Sequence, residues 1–223
     1  MRDVAFHIGL LPDRPVDEIA DLVRHAEHLG FEGAWVADSQ SIFRDCYGAL
    51  TVAADRTSRI VLATGVTNPV TRHPAVIAGA LATLNEQSAG RAVCGIGVGE
   101  SAVRTIGRAP ATLARLEEAT LALRGLLSGE SIRWDGAEIR LTWASAAVPV
   151  WFASTGPRSL RLGGRLADGV LFQVGADPTL VDYALRAIAA GAEEGNREVR
   201  QVGRLVRLAC SIASDRAWAR REV

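Results

Sequence analysis

Short runs of apolar and β-branched residues alternate along the whole chain with longer stretches whose apolar positions recur every three or four residues. The first run, Val4–Leu10, predicts a strand. After the turn Pro12-Asp13-Arg14-Pro15, apolar Val16, Ile19, Val23 and Ala26 follow helical spacing, and Gly30 falls where a helix end needs a left-handed residue. Further strands are predicted at Gly33–Ala37, Ile60–Val66, Arg91–Val98, Pro149–Ser154, Gly169–Val174 and Arg204–Ala213. Helices are predicted near Pro74–Gln87, Thr112–Leu127, Pro157–Ala167 and Thr179–Glu194. Such alternation is the pattern of βα units around a parallel sheet. One segment breaks it: Ile132, Trp134, Ile139 and Leu141 flank Asp135-Gly136, a pair suited to a type I′ turn, so Ser131–Thr142 (131–142) is expected to be an inserted β-hairpin outside the main sheet. Asp215–Val223 reads as the first turns of a helix without a cap.

No linker or repeat divides the chain, so residues 1–223 are expected to form one domain. An eight-stranded α/β barrel pairs every strand on both sides. Seven strands therefore point to an incomplete (β/α)8 TIM barrel with the eighth strand missing. The favoured explanation is a C-terminally truncated chain, and the alternative is a natural open barrel whose edge a partner covers.

Composition narrows the chemistry. With 48% apolar residues and a formal net charge of zero, the chain can bury a core and has no electrostatic reason to bind nucleic acid or an anionic membrane. All 25 basic residues are arginine, which removes lysine Schiff bases and a Walker-A lysine. Cys46, Cys94 and Cys210 are widely spaced and lack metal-site partners, so neither disulfides nor a metal site is expected. The run from Asp3 to Pro12 is too short for a signal-peptide core, and no run approaches a membrane span. A cytoplasmic protein acting on a small molecule is the expectation, with a homodimer as its assembly.

Barrel active sites lie at the C-terminal ends of the strands. Asp38 follows the second strand, where it is read either as a site carboxylate or as a cap or ion-pair partner of Arg44. The third strand ends in Gly65-Val66-Thr67-Asn68-Pro69, before Arg72-His73-Pro74 opens a helix. His73 is read as a packing or capping residue more readily than as a catalyst. The fourth runs Gly95-Ile96-Gly97-Val98-Gly99-Glu100-Ser101, a GxGxG pattern that fails the dinucleotide-binding spacing because Glu100 replaces the third glycine. Small residues there let a flat ring approach, with Glu100 or Ser101 as hydrogen-bonding groups. After the fifth strand, Ser154-Thr155-Gly156-Pro157-Arg158-Ser159 reads as a strand-to-helix turn in which Thr155 caps the helix. Its free amides, with Arg158 beside them, suit an anion.

Taken in order, these segments resemble the luciferase-like flavin and deazaflavin oxidoreductase family, on its methylenetetrahydromethanopterin reductase-like side. The resemblance is carried by Trp35–Gln40 with Arg44, Asp45 and Tyr47; Thr57–Ile60; Gly65–Pro69; Thr71–Pro74; Leu84–Arg91; Gly95–Glu100; and Ser154–Pro157 through Ala167–Val170. It implies a luciferase-type barrel that uses coenzyme F420 for hydride transfer to or from a small organic substrate. The alternatives are an FMN-dependent monooxygenase and a non-catalytic cofactor-binding or oligomerisation module. It also implies a non-proline cis peptide at Gly65-Val66, a ring contacted by Gly65, Val66, Thr67, Gly97, Gly99 and Ser101, and a cofactor phosphate held by Ser154, Thr155 and Gly156. Asp38 is the first candidate for polarising or protonating the substrate and Glu100 the second. Two departures from the family pattern stand out: Gly9 lies where a first-strand acid is common, and Asp38-Ser39 replaces an Asp-His pair.

Overall fold

The computed structural model describes residues 4–143 and 147–221. Asp3, Glu222 and Val223, which enter the terminal segments read above, lie outside the described residues. Strand and helix alternate as β1 (His7–Leu10), α1 (Val16–His28), β2 (Gly33–Val36), α2 (Cys46–Arg56), β3 (Val61–Thr64), α3 (Pro74–Gln87) and β4 (Ala92–Ile96). Then follow α4 (Ser101–Arg104), α5 (Leu113–Leu127), β5 (Ile132–Trp134), β6 (Ala137–Ile139), β7 (Val150–Ser154), α6 (Pro157–Leu166), β8 (Gly169–Phe172), α7 (Pro178–Glu194), β9 (Gly203–Val206) and α8 (Arg216–Arg221). Seven strands make one curled parallel sheet in the order β1-β2-β3-β4-β7-β8-β9, while β5 and β6 pair antiparallel in a separate hairpin. Within this sheet β1 and β9 each have one strand neighbour.

The predicted turn residues take the conformations expected of them. Asp135 and Gly136 both have positive φ (46° and 86°), as a type I′ turn requires, and Gly30 closes α1 at φ 89°. The strands are shorter than the sequence suggests. The third stops at Thr64 because the chain turns at Gly65, and the last stops at Val206, leaving 207–213 outside any strand.

Helix α2 is absent from the sequence reading. It buries Cys46, Tyr47, Ala49, Leu50, Ala53 and Ala54 on one side, but the opposite side carries Gly48, Thr51 and Val52 beside Asp55, so the contrast between apolar and polar faces that marks a helix is weak. Helix α8 does have an N-terminal cap, contrary to expectation: Ala217 N donates to Asp215 Oδ1 at 2.8 Å.

Two polar side chains, one buried and one half-buried, fix how α2 hands over to β3. Glu27 of α1 accepts backbone N–H bonds from Ser58, Arg59 and Ile60 at 2.9, 2.6 and 2.9 Å. From the other side, Arg91 donates to the carbonyls of Ala54, Thr57 and Ile60. These bonds satisfy groups that a helix end and a strand start would otherwise leave open.

The helices cover one face of the sheet and join its residues in the main apolar core. The other, concave face is filled by Trp35, Ala63, Val93 and Leu171, with Trp151 packed against them. Trp35 and Trp151 meet edge to face with centroids 5.6 Å apart. Gly169 and Gly203 give Trp151 its room, since a Cβ on either would collide with the indole.

Candidate functional site

A cavity of about 740 Å³ opens at the C-terminal ends of the strands. Its walls come from Ala37–Ser39 after β2, Gly65, Val66 and Asn68 after β3, Gly97–Ala102 after β4, Ser154–Ser159 after β7, and Gln173 and Arg207 after β8 and β9. Every candidate residue named from the sequence lines it except Thr67. The peptide Gly65-Val66 is cis. A Cβ on Gly65 would come within 2.9 Å of the Trp35 backbone, and one on Gly97 within 3.2 Å of Val66, so the Gly65–Val66 segment is seated closely between its neighbours.

On the β2–β3 side the charged groups are already matched, although the buried Tyr47 hydroxyl and Asn68 Nδ2 have no partner among the described residues. Asp38, with its side chain 1% exposed, takes Arg72 Nε on Oδ2 at 3.0 Å and Arg72 Nη2 on Oδ1 at 3.2 Å. Thr67 Oγ1 donates to Asp38 Oδ2 at 2.8 Å. Arg72 also pairs with Asp45, the N-cap of α2, and its guanidinium lies 4.6 Å from the centre of the Tyr47 ring. Burial pulls the arginine pKa down, but hydrogen bonds and charge from Asp38 and Asp45 outweigh it and push the value up. Burial raises the pKa of Asp45, yet the Gly48 amide and Arg72 hold it below the usual aspartate range.

These contacts correct two expectations. The partner of Asp38 is Arg72, not Arg44. Thr67 is fully buried and braces Asp38; it does not line the cavity.

The β7 side differs. Ser154 is 4% exposed and its hydroxyl has no partner among the described residues. The N-cap of α6 is Gly156, not Thr155: Ser159 Oγ donates to the Gly156 carbonyl at 2.9 Å and accepts from its N–H at 3.3 Å. Thr155 is therefore exposed and uncommitted. Arg158 and Arg207 both line the cavity, and neither side chain has a partner among the described residues. Asn68 is a further lining residue that the sequence reading did not single out. Its Oδ1 accepts from Val70 N, Thr71 N and Thr71 Oγ1, which leaves its buried Nδ2 without a partner.

At the rim, Ser39 and Ser101 share a hydrogen bond of 2.8 Å, and Gln40 Nε2 donates to the Ala102 carbonyl at 2.8 Å. Glu100 is exposed and ion-paired with Arg104 one helical turn on. His73 accepts from Ala75 N and caps α3. The buried thiols are poor nucleophiles: burial pushes Cys94 up to about 12, and burial, followed by the charges of Asp38 and Asp45, pushes Cys46 higher still. No group of three or more His, Cys, Asp or Glu that could hold a metal occurs among the described residues. Among them, too, no helix is long and apolar enough to cross a membrane.

A curled parallel sheet with a glycine-lined cavity at its strand ends defines a luciferase-type α/β oxidoreductase scaffold. The chain belongs to the luciferase-like monooxygenase family, whose description it matches over residues 5–223. It is 38% identical over 224 residues to the 5,10-methylenetetrahydromethanopterin reductase of Methanolobus tindarius, an alignment covering 97% of this chain and 68% of that one. It is 33% identical to the F420-dependent glucose-6-phosphate dehydrogenase of Nakamurella multipartita, covering 91% of this chain and 66% of the relative. Among solved structures, the coenzyme F420-dependent tetrahydromethanopterin reductase of Methanopyrus kandleri superposes with a TM-score of 0.85 at 30% identity, covering 97% of this chain and 69% of that chain. The chain thus spans about two thirds of the length of the relatives it matches.

Proposed function

We propose that this chain carries the cofactor-binding face of a coenzyme F420-dependent oxidoreductase that transfers a hydride between the deazaflavin and a small organic substrate. One observation carries the reading: a single cavity at the strand ends holds buried, unpartnered polar atoms on Asn68 and Ser154. Buried polar atoms without partners are costly in a folded chain, so a ligand that supplies the missing bonds is favoured there. Two of the relatives described above are F420-dependent by name, which supports this cofactor over FMN.

In this reading Ser154, Thr155 and the amides near Gly156 hold the cofactor phosphate, with Arg158 adding charge. Gly65, Val66, Gly97, Gly99 and Ser101 form the wall for the ring, and Thr67 braces that wall through Asp38. When bound, the deazaflavin supplies or accepts the hydride. Proton handling falls to Glu100, the carboxylate with solvent access at the rim, while Asp38 sets the charge of the wall. A cytoplasmic homodimer is part of the same reading, and sedimentation of the purified chain checks the dimer.

The test is reconstitution with each cofactor separately. The expected result is saturable F420 binding, tighter than that of FMN, which weakens when Arg158→Gln removes the cation beside the phosphate. Selective FMN binding with oxygen consumption would replace the proposal with a monooxygenase. F420 binding without turnover on any substrate, in a protein extended to the length of its relatives, would favour a non-catalytic binding module.

A further inference from the structure

The cavity wall after β2 contains a charge that the scaffold has arranged to hide. Asp38 lines the cavity although its side chain is 1% exposed, and its carboxylate lies between Thr67 and Arg72. Arg72 comes from the loop that leads into α3, thirty-four positions along the chain. Its fork meets both oxygens of Asp38, and one terminal nitrogen also reaches Asp45 at the start of α2. The guanidinium carbon lies over the Tyr47 ring, 4.6 Å from its centre. Planar, multidentate contacts of this kind fix geometry as well as charge, and a lysine ammonium cannot reproduce them.

Thr67 links the ion pair to the wall itself. It follows the Gly65-Val66 peptide directly, its N–H donates to the Gly95 carbonyl at 2.9 Å, and its carbonyl accepts from Gly97 N at 3.0 Å. Arg72, Asp38 and Thr67 therefore join the β3 and β4 ends of the cavity to the N-termini of α2 and α3.

We propose that Arg72, resting on the functional reading above, is a positioning residue for the cofactor. It cancels the charge of Asp38 and, through Asp38 and Thr67, holds Gly65–Thr67 in place, so that the wall admits an electron-rich, polyanionic cofactor. A carboxylate left bare at this spot would repel such a ligand, because a side chain buried this deeply is poorly screened by water. The remaining charged group in the cluster, Asp45, is also negative, so loss of the arginine leaves two carboxylates beside the wall with no cation in the cluster.

The test measures equilibrium F420 binding by fluorescence, and urea unfolding, for the full chain and for Arg72→Gln, Arg72→Lys and the double variant Asp38→Asn/Arg72→Gln. Arg72→Gln is expected to weaken binding about tenfold or more, and Arg72→Lys to recover part of that loss. The double variant is expected to recover most of it, because no uncompensated charge remains. An Arg72→Gln protein that unfolds cooperatively yet binds within about threefold of the unaltered chain overturns the proposal, as does a double variant that binds no better than Arg72→Gln. A merely structural arginine would shift the unfolding midpoint and leave the affinity of the folded protein alone. If Arg72→Gln does not fold, Arg72→Lys is compared with Arg72→Lys/Asp38→Asn; restored affinity in the latter is expected, and its absence overturns the proposal. Should the unaltered chain bind neither F420 nor FMN, the functional reading fails separately. Charge cancellation is then judged by urea: a higher midpoint for the double variant than for Arg72→Gln supports it, and an equal or lower one overturns it.

Discussion

The two walls of the cavity are built on opposite plans. On the β2–β3 side, Asp38, Thr67, Arg72 and Asp45 satisfy one another before any ligand arrives. On the β7 side, the Ser154 hydroxyl has no partner, Thr155 is exposed, and Arg158 has no carboxylate beside it among the described residues. The first wall derives its shape from its own bonds, so damage there is felt by the free protein as well as by the ligand. The second keeps donors and charge in reserve, so damage there is felt by the ligand.

The largest break in this contrast comes from Arg72→Gln. Stripping the partner from a buried carboxylate is expected to cost about 3–5 kcal/mol of folding stability, measured by chemical denaturation. Glycine substitutions probe the cavity backbone in the same way, after β4 and after β7. Gly99 has φ 80°, and a Cβ there would lie 2.5 Å from Val103 Cγ2, so Gly99→Ala is expected to cost about 1–3 kcal/mol. Gly156 has negative φ and nothing within 4 Å of an added Cβ, so Gly156→Ala is expected to be close to neutral, a difference that thermal melts resolve.

Asp45 adds a pH dependence to the braced wall. Its folded pKa lies below the ordinary value, so its contribution is complete at neutral pH, above the unfolded value near about 3.9, and disappears as the pH falls through the lower folded value. Asp45→Ala is expected to cost about 1 kcal/mol at neutral pH through the lost helix cap, a deficit that shrinks in acid; urea midpoints at several pH values check it. The smallest effect on the free chain is expected from Ser154→Ala, which removes an unpartnered hydroxyl and should leave stability unchanged or slightly higher. The same change should weaken F420 binding by about 1 kcal/mol, read by titration. A Ser154→Ala protein that loses stability comparable to Arg72→Gln would erase the distinction between the walls.

Much of this architecture is legible in the order of residues. Strand runs such as Gly33–Val36 are buried along their length and read as continuous apolar stretches, and turn residues such as Asp135-Gly136 announce their own backbone geometry. The candidate positions after β3, β4 and β7 converge because a parallel barrel sheet brings all its strand ends to one side. What the chain conceals is pairing over distance. Arg72 stands beside His73-Pro74 in the sequence, and nothing local says that it reaches back to Asp38. Thr67 looks like a cavity residue from its place after Gly65-Val66, and only in the fold does its side chain prove to be buried against Asp38. Helix α2 is hidden for another reason: the side facing away from the core carries Gly48, Thr51 and Val52 with Asp55, so the polar face that ordinarily reveals a helix is faint.

Beneath the cavity, the indole of Trp151 lies across Gly169 of β8 and Gly203 of β9, so one side chain occupies the space of three positions on three adjacent strands. Those positions cannot drift independently. A larger residue at either glycine is tolerated only after Trp151 has become smaller, and a smaller residue at Trp151 opens a hole until a glycine grows to fill it. Across descendants of this chain, the three sites are bound to change as a set, and the order of the substitutions decides which intermediates survive.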